Sequence, residues 1–364
     1  MAKAKYTRQS NGYFQTKVWD GTYTQAGKKH LVNLRTNKSS RELENMVNEF
    51  TAKVKAREFV RSSDQTFTDY AKVWLDTYKA DAALNTRNMY ANIIDKHLNV
   101  ITCRIGDVSR IHYVSVINNI SGARTKQQAS MTFKQIIKCA IRDRLLAPAA
   151  FDEIFEDSVK IKYKSPEKRP LTSYEKEAIA KADFLPMEKA FVYILFGSGL
   201  RRGEALALTR FDISLDRKEI AVNKALAFDV NTPYIKDTKN HVNRVVPIPD
   251  SIYPFIAEYV KTLRHTNLFH MRDGSCITKS SLDKMWKRII KKMQAVSDQP
   301  IDTLTPHIFR HNYCASLCYQ IPALSINKIA ELLGDSPKMV VEVYNHEILG
   351  KEKPAETVSA AMAL

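Results

Sequence analysis

Residues 303–319 have the sequence TLTPHIFRHNYCASLCY. Thr305 and Pro306 predict the start of a helix, with the threonine as N-cap and the proline at the first helical position. His307 and Arg310 then lie three residues apart, on one face close to the helix N-terminus. Because backbone N–H groups and the helix dipole attract negative charge there, the pattern predicts an anion site with a proton-transfer group beside it.

The same helix also admits a metal-binding interpretation. Its imidazole and thiol groups recur at helical spacing, at His307, His311, Cys314 and Cys318. Four ligands on one helix extend over about 16 Å at 1.5 Å per residue, and they cannot close a tetrahedron alone. Two of them would need a distant ligand, so we expect no metal and place both cysteines in the core.

A second segment, residues 197–208, has the sequence GSGLRRGEALAL. Its glycines miss the spacing of dinucleotide-binding loops, and no Gly-Lys-Ser/Thr follows, which argues against a nucleotide fold. The pattern instead predicts a glycine turn that places Arg201 at the start of a helix, where an arginine suits a phosphate. Glu204, three residues on, is positioned to hold the guanidinium in place.

Two more segments complete the set. Residues 235–249, IKDTKNHVNRVVPIP, predict a β-hairpin with Lys239 at its turn. In residues 332–346, LLGDSPKMVVEVYNH, Gly334 predicts a helix end, and a short helix that carries Tyr344 follows. Each such residue alone is more often solvated or part of a core. The order Arg, Lys, His-x-x-Arg, Tyr within one basic domain is what makes the combination specific.

The chain as a whole predicts a multidomain, mainly α protein. Residues 1–60 alternate apolar and polar side chains in two segments before a helical one, which predicts a small β-sheet-plus-helix unit that binds DNA. A packing or dimerisation extension is the alternative. Residues 64–160 predict a helical domain, residues 161–170 a basic linker, and residues 171–364 an α+β domain.

Local signals support these boundaries. Thr172 and Glu175 form a capping box at the start of the last domain. Asn85 or Thr86 is expected to cap the second helix of residues 64–160. The aromatic stripe of the first helix there predicts core packing, and it consists of Phe67, Tyr70, Trp74 and Tyr78.

Composition narrows the class of partner. The chain has 56 Lys+Arg against 39 Asp+Glu, a formal net charge of +17. A folded, basic, multidomain protein indicates a polyanion partner, DNA or RNA first. No apolar run approaches the roughly 18 residues that span a bilayer, and the N-terminal stretch has no signal-peptide pattern. The five scattered cysteines indicate reduced thiols and predict a cytoplasmic protein.

With these segments together, the chain resembles a tyrosine recombinase of the phage and conjugative-transposon integrase type. The matching motifs are G-L-R-R-G-E at 199–204, T-K-N with R-V-V-P at 238–247, T-P-H-I-F-R-H at 305–311, and L-L-G followed by V-Y-N-H at 332–346. The resemblance covers nearly the whole chain. It implies an arm-site DNA-binding domain at 1–60, a core-binding domain at 64–160 and a catalytic domain from 171.

The resemblance also implies a role for each motif residue. Arg201 and Arg310 would clamp the scissile phosphate, and Lys239 would protonate the leaving 5′ oxygen. His307 would accept the tyrosine proton or hydrogen-bond the phosphate. Tyr344 would attack phosphorus and form a 3′-phosphotyrosyl bond. Glu204 would support Arg201, and Lys236 is the alternative lysine.

Further implications concern partners and setting. The resemblance implies double-stranded DNA with core and arm sites, a homotetramer on DNA, and a directionality factor or excisionase as an accessory partner. It implies no cofactor, metal or ATP, and a cytoplasmic, nucleoid-associated location in a bacterial host. Two alternatives stay open: a type IB topoisomerase that relaxes DNA by the same chemistry, and a DNA-binding relative that has lost catalysis.

One position departs from the family pattern. Nine residues before the tyrosine, where family members carry histidine or tryptophan, this chain has Asp335. A carboxylate cannot act as the positive donor of a protonated imidazole, and it repels phosphate. We therefore expect Asp335 to turn away from the sixth active-site position, for example as a helix cap.

Overall fold

The structure is a computed structural model that describes residues 4–23, 27–55, 60, 63–156, 159–163, 169–238, 243–301 and 303–347. The chain forms two compact units, residues 1–165 and residues 166–364. Among the helices within those ranges, none combines the length and the apolarity that a membrane crossing requires.

The first unit opens with a β-hairpin and a helix, as the sequence predicts. Strands β1 (Phe14–Tyr23) and β2 (Lys29–Thr36) pair antiparallel. Helix α1 (Ser40–Lys55) follows and packs on both strands. The Ser39 hydroxyl accepts a hydrogen bond from the Glu42 backbone N–H at 3.1 Å, so the serine satisfies one free donor of the first turn.

The remainder of the first unit is helical, which confirms the prediction for residues 64–160. The helices are α2 (Phe67–Tyr78), α3 (Leu84–Ile93), α4 (Arg110–Asn118), α5 (Ala123–Arg142) and α6 (Ala150–Phe155), with a π-helical turn at Ile94–Leu98 and a 3₁₀ turn at Ile105–Asp107. The rings of Phe67 and Phe133 stack at 4.9 Å, and the Tyr113 ring meets Phe133 edge-on at 5.4 Å. Aromatic packing therefore contributes to this core, together with buried aliphatic side chains.

Two details of the first unit differ from expectation. Helix α3 begins at Leu84 with Ala83 as N-cap and no side-chain cap, so the predicted caps at Asn85 and Thr86 are wrong. Both residues lie inside the helix, because the first turn starts earlier than its polar residues suggest. Tyr78 is 42% exposed, unlike the rest of its stripe.

The second unit surrounds small sheets with helices. Its helices are α7 (Ser173–Lys181), α8 (Pro186–Ser198), α9 (Arg202–Leu206), α10 (Tyr253–Thr262), α11 (Lys279–Gln294), α12 (Pro306–Cys318), α13 (Ile326–Leu333) and α14 (Pro337–Glu347). The capping box at α7 is present: Glu175 N–H donates to Thr172 Oγ1 at 3.2 Å, and Thr172 N–H donates to Glu175 Oε2 at 2.9 Å.

The strands of this unit are β3 (Ile213–Ser214), β4 (Glu219–Val222), β5 (Ala225–Asp229), β6 (Thr232–Lys236) and β7 (Arg244–Pro247). The order of one sheet is β3-β4-β7, and β5 pairs with β6. The predicted hairpin of residues 235–249 is therefore wrong, although its strands end at Lys236 and begin at Arg244 as expected. Strand β6 pairs with its immediate predecessor across a two-residue turn, and β7 instead pairs with the more distant β4.

Helices α8 and α12 pack against each other in the core of the second unit. Phe191 and Leu195 on α8 and Phe309 on α12 are fully buried. Helix α13 packs against α12 and α14 and against strand β7. These contacts bring the ends of α8, α12 and α13 to one place, where the motif residues lie.

Candidate active site

Arg201 lies where the glycine turn predicts it. Gly199 ends helix α8 with a φ of +59°, and a Cβ there would stand 2.4 Å from the Tyr313 ring, so both backbone and space require glycine. Arg201 is the N-cap of α9, and Leu200 and Ala205 beside it are fully buried. These apolar neighbours hold the turn in the core. The side chain of Arg201 itself remains 21% exposed.

Glu204 accepts two hydrogen bonds from this arginine. Its Oε1 accepts from Arg201 Nη1 at 3.0 Å, and its Oε2 accepts from the Arg201 backbone N–H at 2.9 Å. The predicted contact between the two residues is thus present. Glu204 is only 1% exposed. Burial alone would raise its pKa, but hydrogen bonds and charges from Arg244 and Arg201 outweigh burial and lower the pKa.

Arg244 is the residue that sequence reasoning missed. It is 6% exposed at the start of β7, and its Nη2 donates to Glu204 Oε2 at 2.7 Å. The alternation of buried and exposed residues along β7 is the signal that points this side chain inward. Without the pairing with β4, which makes β7 an edge strand of the three-stranded sheet, that signal could not be assigned to a face.

Arg310 is buried on α12, at 5% exposure. Its Nη1 donates to the Gly199 carbonyl at 3.0 Å and its Nη2 to the Leu333 carbonyl at 2.7 Å. Burial and the neighbouring charge of Arg201 lower the pKa of this guanidinium, while Asp335 opposes that shift. An arginine stays protonated in such a setting, so a cation faces Arg201 from the other side.

The C-terminal end of α13 binds all three arginines. Three consecutive carbonyls accept one arginine each: Leu332 from Arg244 Nε at 2.9 Å, Leu333 from Arg310 Nη2 at 2.7 Å, and Gly334 from Arg201 Nη2 at 3.1 Å. The last carbonyls of a helix have no partner within it, and the helix dipole is negative there. The arginines donate hydrogen bonds to these carbonyls, and their positive charge is favoured at the negative end of the dipole.

Asp335 does not turn away from the site, contrary to expectation. Its Oδ2 accepts from Arg310 Nη2 at 2.7 Å and lies 3.1 Å from Arg201 Nη2. The side chain is 26% exposed. Two guanidinium groups attract the carboxylate, so charge pairing holds it in the site.

His307 lies beside this arginine pair. It lines one cavity with Arg310 and Asp335, and α14 contributes Met339, Val340 and Val343 to the same wall. The His307 ring meets the His311 ring edge-on at 4.7 Å. Cys314 and Cys318 are buried in the core, as predicted. Among the residues that the structure describes, no group of three or more His, Cys, Asp or Glu could hold a metal ion.

Tyr344 and the lysine complete the predicted set only in part. Tyr344 lies on α14, half-buried and packed against the core of the second unit, one residue after the cavity-lining Val343. Lys239 lies outside the described residues, so its place in the site stays a prediction. Lys236 is exposed at the end of β6. The structure thus brings Arg201, Arg310 and Asp335 together, with His307 next to them.

Comparison with known proteins agrees with this geometry. Residues 175–348 match the model of the phage integrase family. A XerC-like tyrosine recombinase of Caldanaerobacter subterraneus is 29% identical over 192 residues, 45% of this chain and 46% of that protein. The tyrosine recombinase XerC of Roseiflexus castenholzii is 25% identical over 209 residues, 56% and 55% of the two chains. The chain spans about half the length of these curated relatives.

Solved structures share the fold. The Tn1549 transposon integrase in complex with transposon right end DNA has a TM-score of 0.67 at 19% identity, covering 82% of this chain and 100% of the other. A lambda integrase dimer bound to a core site has a TM-score of 0.59 at 14% identity, covering 96% and 97%. These similarities show that the chain shares the fold of these integrases. Residues 175–348 are thus similar to the phage integrase family, and the sequence relatives of this region are tyrosine recombinases.

The buried Glu204 carboxylate makes stability depend on pH. Its pKa is lowered in the folded state, so the unfolded chain binds its proton more readily. Its contribution is complete above the unfolded pKa of about 4.3 and is lost as the pH falls below that value. Glu204→Gln should cost about 3–5 kcal/mol at pH 7 and should flatten the decline in unfolding free energy between about pH 4.5 and 3.

Urea unfolding followed by circular dichroism at several pH values measures this. Glu331→Gln is the matched control, because it removes the same charge from a surface ion pair with Lys328 whose carboxylate is 62% exposed. An equal decline with pH in Glu204→Gln and the wild type would contradict the assignment.

Proposed function

We propose that this protein is a site-specific DNA recombinase that integrates and excises a mobile element or prophage through a 3′-phosphotyrosyl intermediate. One observation carries the proposal: Arg201 Nη2 and Arg310 Nη2 converge on a single anionic oxygen, at 3.1 and 2.7 Å. Two fixed cations around one anion position are what a charged phosphoryl-transfer transition state requires.

The proposed reaction uses the tyrosine as nucleophile. The Tyr344 phenolic oxygen attacks phosphorus, and the bond from phosphorus to the 5′ oxygen breaks. A free phenol has a pKa of about 10, so His307 is proposed to accept its proton or to hydrogen-bond the phosphate. Lys239 donates a proton to the departing 5′ oxygen. The phosphotyrosyl bond conserves the energy of the broken bond, so rejoining needs no ATP.

Three features support DNA as the partner. The net charge of +17 favours binding to a polyanion. The Tn1549 and lambda integrases with the same fold are described in complex with DNA. The β-hairpin and α1 of the first unit support arm-site binding. We extend the proposal to a homotetramer on core and arm sites and to a directionality factor as an accessory partner.

The relatives include two kinds of recombinase that use this chemistry. Those of similar sequence include XerC and XerD recombinases, whereas similar folds come from integrases of a transposon and of lambda. The sheet-plus-helix unit before the helical domain favours assembly on complex attachment sites, and thus the integrase role. A type IB topoisomerase would instead relax supercoiled plasmid DNA that lacks any attachment site.

The first test is a covalent adduct on nicked DNA. A duplex from the DNA flanking the gene is nicked just 3′ of the cleavage position, so that the released fragment diffuses away and the phosphotyrosyl intermediate accumulates. We expect the wild type to form an adduct that survives denaturing electrophoresis and Tyr344→Phe to form none, because phenylalanine lacks the attacking oxygen.

Tyr319→Phe is the matched control, since it removes the same hydroxyl from an exposed position of the same unit, and it should retain the adduct. Retention of the adduct in Tyr344→Phe would rule out this nucleophile. Specific DNA binding without any adduct in the wild type would favour the relative that has lost catalysis.

The second test assigns the general acid. A substrate with sulfur in place of the bridging 5′ oxygen releases a thiolate, which leaves without protonation. Lys239→Ala should slow adduct formation on ordinary DNA by about 10²–10⁴-fold and should approach the wild-type rate on the sulfur-bridged DNA. Lys236→Ala is the control and should change neither rate much.

Single-turnover adduct formation on both substrates measures the effect. Rescue by sulfur in Lys236→Ala instead of Lys239→Ala would transfer the role to Lys236. A loss in Lys239→Ala that is equal on both substrates would show a role other than proton donation.

A further inference from the structure

The Asp335 carboxylate occupies the position between the two arginines. Its Oδ2 lies 2.7 Å from Arg310 Nη2 and 3.1 Å from Arg201 Nη2. Glu204 also contacts Arg201: it accepts hydrogen bonds from Arg201 Nη1 and backbone N–H, and it pairs with Arg244 as well. Asp335 thus contacts both arginines of the proposed phosphate site.

Hydrogen-bond counting shows what this contact uses. Each arginine Nη2 carries two N–H groups. Arg201 Nη2 donates to the Gly334 carbonyl and lies 3.1 Å from Asp335 Oδ2 in an ion pair. On Arg310 one N–H is directed to the Leu333 carbonyl and the other to Asp335. An anion that binds between these two nitrogens therefore competes with Asp335 for the Arg310 donor and for the charge of Arg201.

Charge leads to the same conclusion. A phosphodiester and an aspartate each carry one negative charge, so either can neutralise the arginine pair. Both together would place like charges a few ångströms apart in a partly buried site, where repulsion is strong. Binding of the two groups at this position is mutually exclusive.

The Asp335 side chain can rotate away from the two arginines. Its backbone N–H is held by the Ala330 carbonyl at 3.0 Å, just after the left-handed Gly334. The side chain is 26% exposed. An aspartate has two side-chain torsions, so the carboxylate can rotate toward solvent while the backbone and the α13 carbonyls keep their places.

We propose that Asp335 is an internal competitor for the phosphate site: it neutralises the arginine pair in the free protein and is displaced when an anion binds. This rests on the proposed function, because it takes the arginine pair as the site of the scissile phosphate. It also gives the departure from the family's histidine or tryptophan a consequence. In the free protein, the Asp335 carboxylate occupies the position between the two arginines.

The test uses inorganic sulfate as the probe, a tetrahedral anion whose binding requires no cleavage. Sulfate affinity is measured by calorimetry and by the shift of the thermal midpoint, against sodium chloride of equal ionic strength. Asp335→Asn keeps the size of the side chain and removes its charge. We expect Asp335→Asn to bind sulfate about tenfold or more tightly than the wild type does.

Glu331→Gln is the control for net charge, since it loses one carboxylate from the same helix end region without contacting the arginines, and its sulfate affinity should equal that of the wild type. Asp335→Ser is a second variant in case the asparagine does not fold, with folding checked by circular dichroism. Unchanged or weaker sulfate binding in whichever variant folds would overturn the proposal.

A second measurement joins the proposal to catalysis. The rate of adduct formation on the nicked duplex should rise in Asp335→Asn at subsaturating DNA. A slower rate together with unchanged sulfate affinity would make Asp335 a positioning residue for the arginines and overturn the competitor role. If no protein forms an adduct, the recombinase function fails, while the sulfate result still decides whether Asp335 competes for the anion site.

Discussion

The end of helix α13 is the constraint on which the site depends. Three successive carbonyls there bind Arg244, Arg310 and Arg201, which come from a strand, a helix and a glycine turn far apart in sequence. A helix end leaves four carbonyls without intrahelical partners. Because the arginines satisfy two of these, Leu332 and Leu333, and the carbonyl of the following Gly334, one helix end sets the position of every described guanidinium in the site.

Glu204 and Gly334 make this arrangement rigid. Glu204 bridges Arg201 and Arg244 at 1% exposure, so the two arginines cannot move independently. Gly334 has a φ of +62°, and a Cβ there would stand 2.7 Å from Arg244 Nη1. The glycine therefore permits both the helix end and the approach of the arginine. Such preorganisation suits an active site in which stabilisation of the transition-state charge is the main contribution to catalysis.

Local chemistry made much of this predictable. Gly334 predicted a helix end, the glycines of residues 197–203 predicted the turn before Arg201, and the contact of Glu204 with Arg201 followed from spacing on one turn. Pairing between elements that are distant in sequence could not be predicted in this way. Strand β7 was expected to pair with β6, and the inward side chain of Arg244 became evident only from its pairing with β4. Asp335 was expected to avoid the site because a carboxylate repels phosphate. Its two arginine partners lie 25 and 134 positions away in sequence, and residue spacing cannot reveal such a convergence.

The most direct measurement is a crystal structure of Tyr344→Phe bound to a core-site duplex. The account predicts the scissile phosphate between Arg201 and Arg310, both still bonded to the α13 carbonyls, with the Asp335 carboxylate turned to solvent. A phosphate bound elsewhere, or arginines that leave α13 to reach it, would contradict the central claim that this helix end builds the phosphate site in advance.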